Sequence, residues 1–380
     1  MSAPTVFIYV QNLLGIGHVR RSAAIAHAAF GRGFEVIFVS GGMPVDGIHI
    51  ECTRFYQLPP VRSLDGNFKT LVDDQGIPID NTWRRKRREQ LKSIFEETRP
   101  EILLTELFPF GRRQFRFELI PLLAQAKQAK WKPKIVCSMR DILVTKSRKD
   151  RNLEIVKTLN LYYDVILVHG DEKIITLDKT FPLNSYIQHL IRYTGYVLNP
   201  IELANTGTVG TGEIIVSLGG GAVGATTLIK LFNLRKNQLN DNQPWRFILG
   251  PHMPAEVAEK IIISGEKDII IEHTRPDLPS VICRADLSIS QGGYNTIAEV
   301  LATRTPAIVI PFEGGVETEQ RFRADLLAQR NLIQVIYEND LSSVSLSAAI
   351  KRASKTRRTN EETINLNGAD NTAKIFGELL

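Results

Sequence analysis

The sequence has few of the features that mark secreted, metal-binding or membrane-spanning proteins. Only three cysteines occur among its 380 residues, and Cys52, Cys137 and Cys283 lie too far apart to form a paired or metal-ligand pattern. No apolar stretch approaches the roughly 18 residues that a membrane-spanning helix requires. The N-terminal segment also lacks the basic start and long apolar run of a secretory signal. We therefore expect a cytoplasmic protein, without a zinc site.

Internal repeats and low-complexity tracts are lacking too. The composition is that of an ordinary globular protein, with 43% hydrophobic and 23% charged residues. The chain length predicts two domains of roughly 150 to 200 residues each. Apolar strands alternate with amphipathic helices along both halves, which predicts a doubly wound parallel sheet in each domain. We place the first domain at 1–197, a linker rich in glycine and asparagine at 198–212, and the second domain at 213–367.

The net charge of +6 arises largely from a local excess of arginine. This excess lies in the run Arg84–Arg88 and at Arg112, Arg113 and Arg116. Such residues form either a solvated helix face or a surface that attracts an anionic membrane or an anionic substrate. Nucleic acid is not expected as a partner, because aromatic residues do not interleave with the basic ones and no helix-turn-helix or zinc pattern accompanies them.

The most informative stretch is 289–315, which reads ISQGGYNTIAEVLATRTPAIVIPFEGG. An apolar strand runs into the glycine pair 292–293, a helix begins near Asn295, and a second apolar strand follows. The glycines allow close backbone approach, and Asn295 and Thr296 place polar groups at the helix N-terminus, where anions bind. Glu299 lies one turn further along the same helix face, where its carboxylate can accept hydrogen bonds from both hydroxyls of a ribose. The pattern therefore predicts a nucleoside diphosphate site.

This stretch resembles the donor-binding signature of the GT-B glycosyltransferases of family 28, which includes the enzyme that adds N-acetylglucosamine to the lipid-linked peptidoglycan precursor. The resemblance implies an α/β fold of two Rossmann-like domains that face a central cleft. It also implies that the second domain holds a UDP-sugar, that Glu319 and Gln320 touch its sugar, and that the last helix, 368–380, packs back on the first domain. Arg275 falls where backbone groups of relatives meet the uracil, and its guanidinium is also suited to neutralising a phosphate. Arg321 and Arg323 are expected on the helix surface.

A second glycine turn follows the predicted strand Glu213–Leu218 and resembles the turn with which family 28 opens its donor domain. It is also consistent with a tight structural turn. The residues predicted on the donor side are Gly219, Gly220, Gly221, Arg275, Ser290, Gln291, Gly292, Gly293, Tyr294, Asn295, Thr296, Glu299, Glu319 and Gln320.

The first domain opens with the strand Thr5–Val10, a loop that contains Gly15 and Gly17, and a helix that begins near His18. A helix N-terminus lowers the pKa of an imidazole and keeps it able to accept a proton. His18 is therefore the candidate catalytic base, with a capping or packing histidine as the plain alternative. The loop resembles the glycine-rich, histidine-containing loop of family 28. Read together with Arg20, it also resembles the UDP-sugar hydrolases of pseudaminic acid synthesis.

In a doubly wound sheet, ligands bind beyond the carboxyl ends of the strands. Polar residues at those positions predict the acceptor side of the site, although each is also suited to capping a helix or forming a salt bridge. With the two loop glycines, the predicted acceptor-side residues are Gly15, Gly17, Glu106, Arg140, Asp141 and His169. The segment Val61–Asp80 is predicted to be a long loop.

The function implied by the resemblance is transfer of a sugar from UDP to an unidentified acceptor, lipid-linked or anionic, with inversion. An Asp-x-Asp pair, which holds a divalent metal in the other glycosyltransferase architecture, is absent, so we expect no metal and no other cofactor. Peripheral contact with an anionic membrane fits the basic cluster. A UDP-sugar hydrolase of the same fold is the leading alternative, and a UDP-sugar sensor without activity is the non-enzymatic one.

Overall fold

The computed structural model divides the chain into two compact units. The first comprises Met1–Asn199 and Asn365–Leu380, and the second comprises Pro200–Ile364. The residues that the structure describes are 3–13, 15–64, 70–143, 149–198, 207–219, 224–239, 243–250, 253–256, 258–259, 268–314, 318–355 and 364–380.

The first unit is built on a seven-stranded parallel sheet. The strands of the first unit, seven in this sheet and two outside it, are β1 (Thr5–Val10), β2 (Glu35–Ser40), β3 (Arg54–Gln57), β4 (Arg62–Ser63), β5 (Leu71–Val72), β6 (Ile102–Glu106), β7 (Lys134–Arg140), β8 (Val165–His169) and β9 (Ile191–Tyr193). Its helices in this part of the chain are α1 (Gly17–Gly31), α2 (Asn81–Thr98), α3 (Arg116–Gln128) and α4 (Lys149–Tyr162). The sheet order is β3-β2-β1-β6-β7-β8-β9, while β4 and β5 form a separate antiparallel pair.

The second unit repeats the architecture with a six-stranded parallel sheet. Its strands are β10 (Ile214–Ser217), β11 (Trp245–Leu249), β12 (Ile269–His273), β13 (Leu287–Ser290), β14 (Ala307–Val309) and β15 (Gln334–Val335). Its described helices are α5 (Ala225–Asn237), α6 (Leu278–Arg284), α7 (Tyr294–Thr303), α8 (Glu319–Gln329) and α9 (Ser343–Ala353). The sheet order is β12-β11-β10-β13-β14-β15.

The central strands are buried on both faces, which explains their near-continuous runs of branched apolar residues. In β1, Phe7 and Tyr9 belong to one hydrophobic cluster, whereas Val6, Ile8 and Val10 belong to another. Successive side chains of a strand point to opposite faces, so one short strand contributes to the core on each side of the sheet. The predicted fold class, two doubly wound parallel-sheet domains, is confirmed.

Each sheet has one point at which the strand order reverses. In the first unit this point lies between β1 and β6, and in the second it lies between β10 and β13. The loops that leave two such strands turn to opposite faces and open a crevice beyond their carboxyl ends, where ligands of this fold class bind. The strand order therefore marks one candidate binding position in each unit.

The last helix, α10 (Gly368–Leu379), belongs to the first unit, where it packs against α1. Arg32 makes two hydrogen bonds to Asp370, at 2.9 and 2.8 Å, and the rings of Phe34 and Phe376 meet edge to face. The helix begins where the backbone N–H of Gly368 donates to the carbonyl of Tyr196 at 3.0 Å.

The prediction of a long loop at Val61–Asp80 is wrong in part, because β4 and β5 form a short hairpin there. Leu71 and Val72 are buried, and their apolar character drives the pairing. Most of the predicted linker lies at 199–206, outside the described residues. Residues 207–212 belong to the second unit, in which Arg284 Nε donates to the carbonyl of Val209 at 2.9 Å.

The basic run of α2 does not form a single surface face. Arg87 is fully buried, and its guanidinium donates to both oxygens of Glu118, at 2.8 and 3.0 Å. It lies on the helix face that also carries Leu91, Ile94 and Phe95, which explains its burial. The prediction that the whole run faces solvent or an anionic surface is therefore wrong for Arg87. No described helix is long and apolar enough to cross a membrane.

We expect Glu118→Ala to destabilise the first unit by about 3 to 5 kcal/mol, because the substitution leaves the Arg87 charge buried without its partner. Urea unfolding followed by circular dichroism measures the change. Glu89→Ala is the matched control on an exposed pair with Arg88, and it should change the midpoint little. Equal losses in the two variants would contradict the importance of the buried pair.

Candidate functional site

The candidate site of the first unit lies at its strand-order reversal, between β1 and β6. The loop after β1 leads into α1, whose second residue is His18, and β6 ends at Glu106. Parallel strands end at the same edge of a sheet, so residues 88 positions apart meet there. His18 Nδ1 lies 2.8 Å from Glu106 Oε1.

Glu106 is completely buried and holds two side chains of α1 at once. Its Oε1 accepts from the guanidinium of Arg21 as well as contacting His18. A carboxylate offers only acceptors, so the proton on the His18 ring lies on Nδ1 and donates to Glu106. The lone pair of the imidazole is then on Nε2. This arrangement is a dyad of a base and a carboxylate that orients it.

The electrostatic environment keeps His18 neutral. Burial lowers its pKa from 6.5 to about 4, an effect that Glu106 opposes and that Arg112 and Arg21 reinforce. Burial alone would raise the pKa of Glu106. The neighbouring His18, Arg21 and Arg112 stabilise the ionised carboxylate more strongly, so the pKa lies well below its usual range. At neutral pH, His18 is therefore a free imidazole beside an ionised carboxylate, which is the state that a general base requires.

The other predicted acceptor-side residues lie along the same edge of the sheet. His169 is buried, with Nε2 2.8 Å from Ser138 Oγ and Nδ1 2.8 Å from Thr194 Oγ1, so both ring nitrogens are engaged inside the protein. Burial lowers the His169 pKa to about 3. The Asp141 carboxylate is buried and accepts from the backbone N–H of Ile142 at 2.9 Å. His169 and Asp141 therefore hold this edge of the sheet together through hydrogen bonds within the protein.

The glycines of the first loop differ in their surroundings. Gly17 is the first residue of α1. A Cβ placed on Gly15 would meet no other atom within 4 Å, so the loop has open space beside it.

Arg140, at the end of β7, is partly buried and lies within electrostatic range of Arg112.

The candidate site of the second unit lies where β10 and β13 end side by side. Gly219 follows β10 with φ at 68°, a left-handed conformation that favours glycine. Gly220 and Gly221 lie outside the described residues. Gln291 follows β13, is 5% exposed, and its Nε2 has no hydrogen-bond partner among the described residues. A Cβ on Gly224 would lie 3.2 Å from that nitrogen, so the two glycine-rich loops approach each other at Gln291.

The turn after β13 leads directly into a helix N-terminus. Ser290 is buried at the end of the strand, and Gly293 is the N-cap of α7, with an extended backbone. A Cβ on Gly293 would meet only Thr296 Oγ1, at 3.9 Å, which leaves room beside the first turn of the helix. Backbone N–H groups of a first helical turn lack partners within the helix and bind anions. Tyr294 is buried beneath this turn.

Gln320 braces the same turn from α8. Its Oε1 accepts from the backbone N–H of Gly292 at 3.0 Å and from that of Phe312 at 3.1 Å. A Cβ on Gly292 would lie 3.0 Å from the backbone oxygen of Gln320, so any larger residue would have to push Gln320 back by a few tenths of an ångström. The side-chain oxygen of Gln320 is thus engaged within the protein, and its Nε2 is the group left to meet a ligand.

Glu319 and Arg323 form a buried ion pair one helical turn apart, with Arg323 NH2 2.7 Å from Glu319 Oε1. Arg323 also donates to the carbonyl of Gly292 at 2.9 Å. The prediction of a surface position is therefore wrong for Arg323, which holds the glycine turn. Its spacing of four from Glu319 is the sequence signal that could have indicated this pair.

The remaining predicted donor residues lie around this edge with different surroundings. Asn295, Thr296 and Glu299 are partly buried on α7, with Glu299 one turn beyond the helix start. Arg275 follows β12 and is held by Asp277 and Glu272, at 2.5 and 3.2 Å. Its contact with a nucleobase stays a prediction.

Residues 215–376 match the profile of the glycosyltransferase family 28 C-terminal domain. This part of the chain is therefore similar to a family 28 domain. The match confirms the family resemblance predicted from the glycine turn and Glu299. Because the matched region begins in β10, the His18 loop lies outside it.

Curated relatives of the family 28 domain are UDP-N-acetylglucosamine--N-acetylmuramyl-(pentapeptide) pyrophosphoryl-undecaprenol N-acetylglucosamine transferases. The chain is 38% identical over 96 residues to that of Natranaerobius thermophilus, which is 25% of this chain and 26% of the relative. It is 26% identical over 154 residues to that of Carboxydothermus hydrogenoformans, 40% of this chain and 41% of the relative. The matched stretches thus span less than half of these relatives.

Solved structures extend the likeness to the whole chain at the level of the fold. MurG from Acinetobacter baumannii is 14% identical with a TM-score of 0.61, and the alignment covers 99% of this chain and 100% of MurG. The glycosyltransferase SnogD from Streptomyces nogalater is 16% identical with a TM-score of 0.62, with complete coverage of both chains. The chain therefore has the GT-B fold.

We expect His18 to titrate at a pH of about 4 in histidine-detected NMR spectra. Glu106→Gln should lower this pKa further, since the carboxylate raises it, and Arg112→Gln should increase it, since the guanidinium lowers it. A His18 resonance that titrates near 6.5 in all three proteins would contradict the buried dyad.

We expect Gln320→Met to destabilise the second unit by about 1 to 3 kcal/mol, because the backbone N–H groups of Gly292 and Phe312 lose their shared acceptor. Thermal unfolding measures the loss. Gln329→Met, on an exposed position of the same helix, is the matched control. A Gln320 variant as stable as this control would show that the brace contributes nothing.

Proposed function

We propose that this protein is an inverting glycosyltransferase that moves a sugar from a UDP-sugar to a hydroxyl group of an acceptor. The observation that carries the proposal is the dyad of His18 and Glu106, which supplies an oriented, neutral base. The family 28 domain supplies the second support, since its curated relatives are named as transferases of N-acetylglucosamine from UDP-N-acetylglucosamine.

The donor binds at the carboxyl edge of the second sheet. The diphosphate lies against the first turn of α7, where the Gly293 turn leaves room and the helix N-terminus favours negative charge. Glu299 accepts hydrogen bonds from the ribose hydroxyls, as the spacing along the helix allows. Gln320 presents its Nε2 to the sugar, because its oxygen is bound to two backbone N–H groups.

The acceptor hydroxyl is activated at the edge of the first sheet. His18 Nε2 takes the hydroxyl proton while the acceptor oxygen forms a bond to the anomeric carbon. The bond between that carbon and the diphosphate oxygen breaks, and its electron pair leaves with UDP. Glu106 stabilises the imidazolium that results. One displacement inverts the anomeric centre.

The charge on the departing UDP is stabilised by backbone N–H groups and the α7 dipole, so the reaction runs without a divalent metal. We further propose that the protein works in the cytoplasm. The exposed arginines outside the buried pair, such as Arg85, remain candidates for contact with an anionic membrane surface.

The test is UDP release from a panel of UDP-sugars in EDTA, first alone and then with a cell lipid extract as the source of acceptor. We expect release that requires the extract, survives EDTA, and falls at least a hundredfold in His18→Ala, since general bases contribute about 10² to 10⁴ in rate. Glu299→Ala should mainly weaken donor binding. Glu256→Ala, at an exposed position of the second unit, should behave as wild type.

The outcomes separate the alternatives. Equal release without the extract identifies water as the acceptor and makes the protein a hydrolase. Binding of UDP-sugars without turnover under any condition makes it a sensor. Full activity of His18→Ala would refute the dyad as the source of the base, and loss of release in EDTA would refute the metal-free reaction.

The pH dependence of kcat/KM gives a second measurement. A base must be unprotonated to act, and burial lowers the His18 pKa to about 4. Activity should therefore hold as pH falls through 6 and decline only as it approaches 4. A decline centred near 6.5 would indicate an exposed histidine instead.

A further inference from the structure

The loop between β6 and α3 holds an arginine in an unusual backbone conformation. Leu107 and Arg112 both have left-handed torsions, with φ at 64° and 57°. Such torsions are strained for non-glycine residues and persist only where the surroundings enforce them. The backbone N–H of Leu107 donates to the carbonyl of Ser138 at 2.7 Å, and the backbone N–H of Gly111 donates to the carbonyl of Leu107 at 2.8 Å. The loop is therefore fixed directly after Glu106.

The Arg112 side chain differs from its neighbours along the chain. Arg113 and Arg116 both pair with Glu154, at 3.3 and 2.6 Å. In contrast, Nε of Arg112 is buried and has no hydrogen-bond partner among the described residues. A buried N–H of a guanidinium without an acceptor is costly, so it marks a position where an acceptor belongs.

The charges around Arg112 do not balance. Its pKa is lowered by burial, which Glu106 opposes and Arg140 and Arg21 reinforce. Tyr9, another neighbour, is neutral because burial raises its pKa. Oε1 of Glu106 is already bound by Arg21 and His18, and His18 itself carries no charge at neutral pH. Arg112 is thus influenced by one carboxylate, Glu106, which it shares, and by two positive charges, Arg140 and Arg21. This excess of positive charge favours binding of an additional anion.

We propose that Arg112 binds an anionic group of the acceptor, a phosphate or a carboxylate, next to the His18 base. This inference rests on the proposed glycosyltransferase function and specifies its acceptor as an anion. A guanidinium offers a planar set of donors that matches both groups.

The binding site has a direct consequence for the reaction. An anion on Arg112 holds the acceptor near His18, because Arg112 lies close enough to lower the His18 pKa. It also offsets the positive charge of Arg112, which raises the basicity of His18 when the acceptor is bound. Acceptor binding therefore strengthens the base.

The experiment is calorimetric titration of the full chain with inorganic pyrophosphate and, separately, with malonate, in the presence of saturating UDP so that the donor site is filled. We expect one of these anions to bind and Arg112→Gln to weaken that binding at least tenfold. Arg113→Gln, at the next residue, is the matched control and should bind as wild type. Tighter binding of pyrophosphate identifies a phosphate acceptor, and tighter binding of malonate identifies a carboxylate.

Equal affinities in the Arg112 and Arg113 variants would overturn the proposal, as would failure of both anions to bind while UDP binds. In either case the glycosyltransferase function would still stand. Anion binding that depends on Arg112 in a chain that binds no UDP would support the anion site and refute the proposed function. If Arg112→Gln does not fold, Arg112→Lys keeps the charge without the planar donors, and at least threefold weaker binding is then expected.

Discussion

Buried guanidinium groups hold the loops at the binding edges of both sheets in place. Arg87 donates to the carbonyls of Gly41 and Pro59, at 2.7 and 2.6 Å, and so ties together the segments that follow β2 and β3. Arg323 does the same for Gly292 in the second unit. A loop buried at a sheet edge carries carbonyl groups that need donors, and one arginine satisfies several of them.

Each of these arginines needs a carboxylate to offset the cost of its burial. Glu118 serves Arg87, and Glu319 serves Arg323, with all four side chains almost fully buried. Removing one member of such a pair leaves a charge that the interior cannot solvate, which explains why the pairs are built as units. Arg112 is an exception, because it has no carboxylate of its own. The carboxylate that influences its pKa most, Glu106, also binds Arg21.

The sequence predicted the long apolar strands, the helix starts and the glycine turn before α7, because apolar periodicity and glycine act locally, but it did not predict the short strands β4 and β5. The position of His18 at a helix start followed from the same local pattern. The partners of Arg87 and Arg323 did not follow, because surface and buried arginines look alike in a sequence. For Arg87 the signal was its place on the face of Leu91 and Phe95. The contact of His18 with Glu106 depends on strand order, which no local pattern contains.

The low basicity of His18 limits how it can act. Lowering its pKa from 6.5 to about 4 makes protonation about 3 kcal/mol less favourable than in water. An imidazole of this kind does not hold a proton before the chemical step. In the proposed reaction it would accept a proton only as the acceptor oxygen loses electron density to the anomeric carbon, so proton transfer and bond formation would advance together. In that reaction Glu106 would act mainly on the transition state, where the imidazolium charge develops and where stabilisation increases the rate.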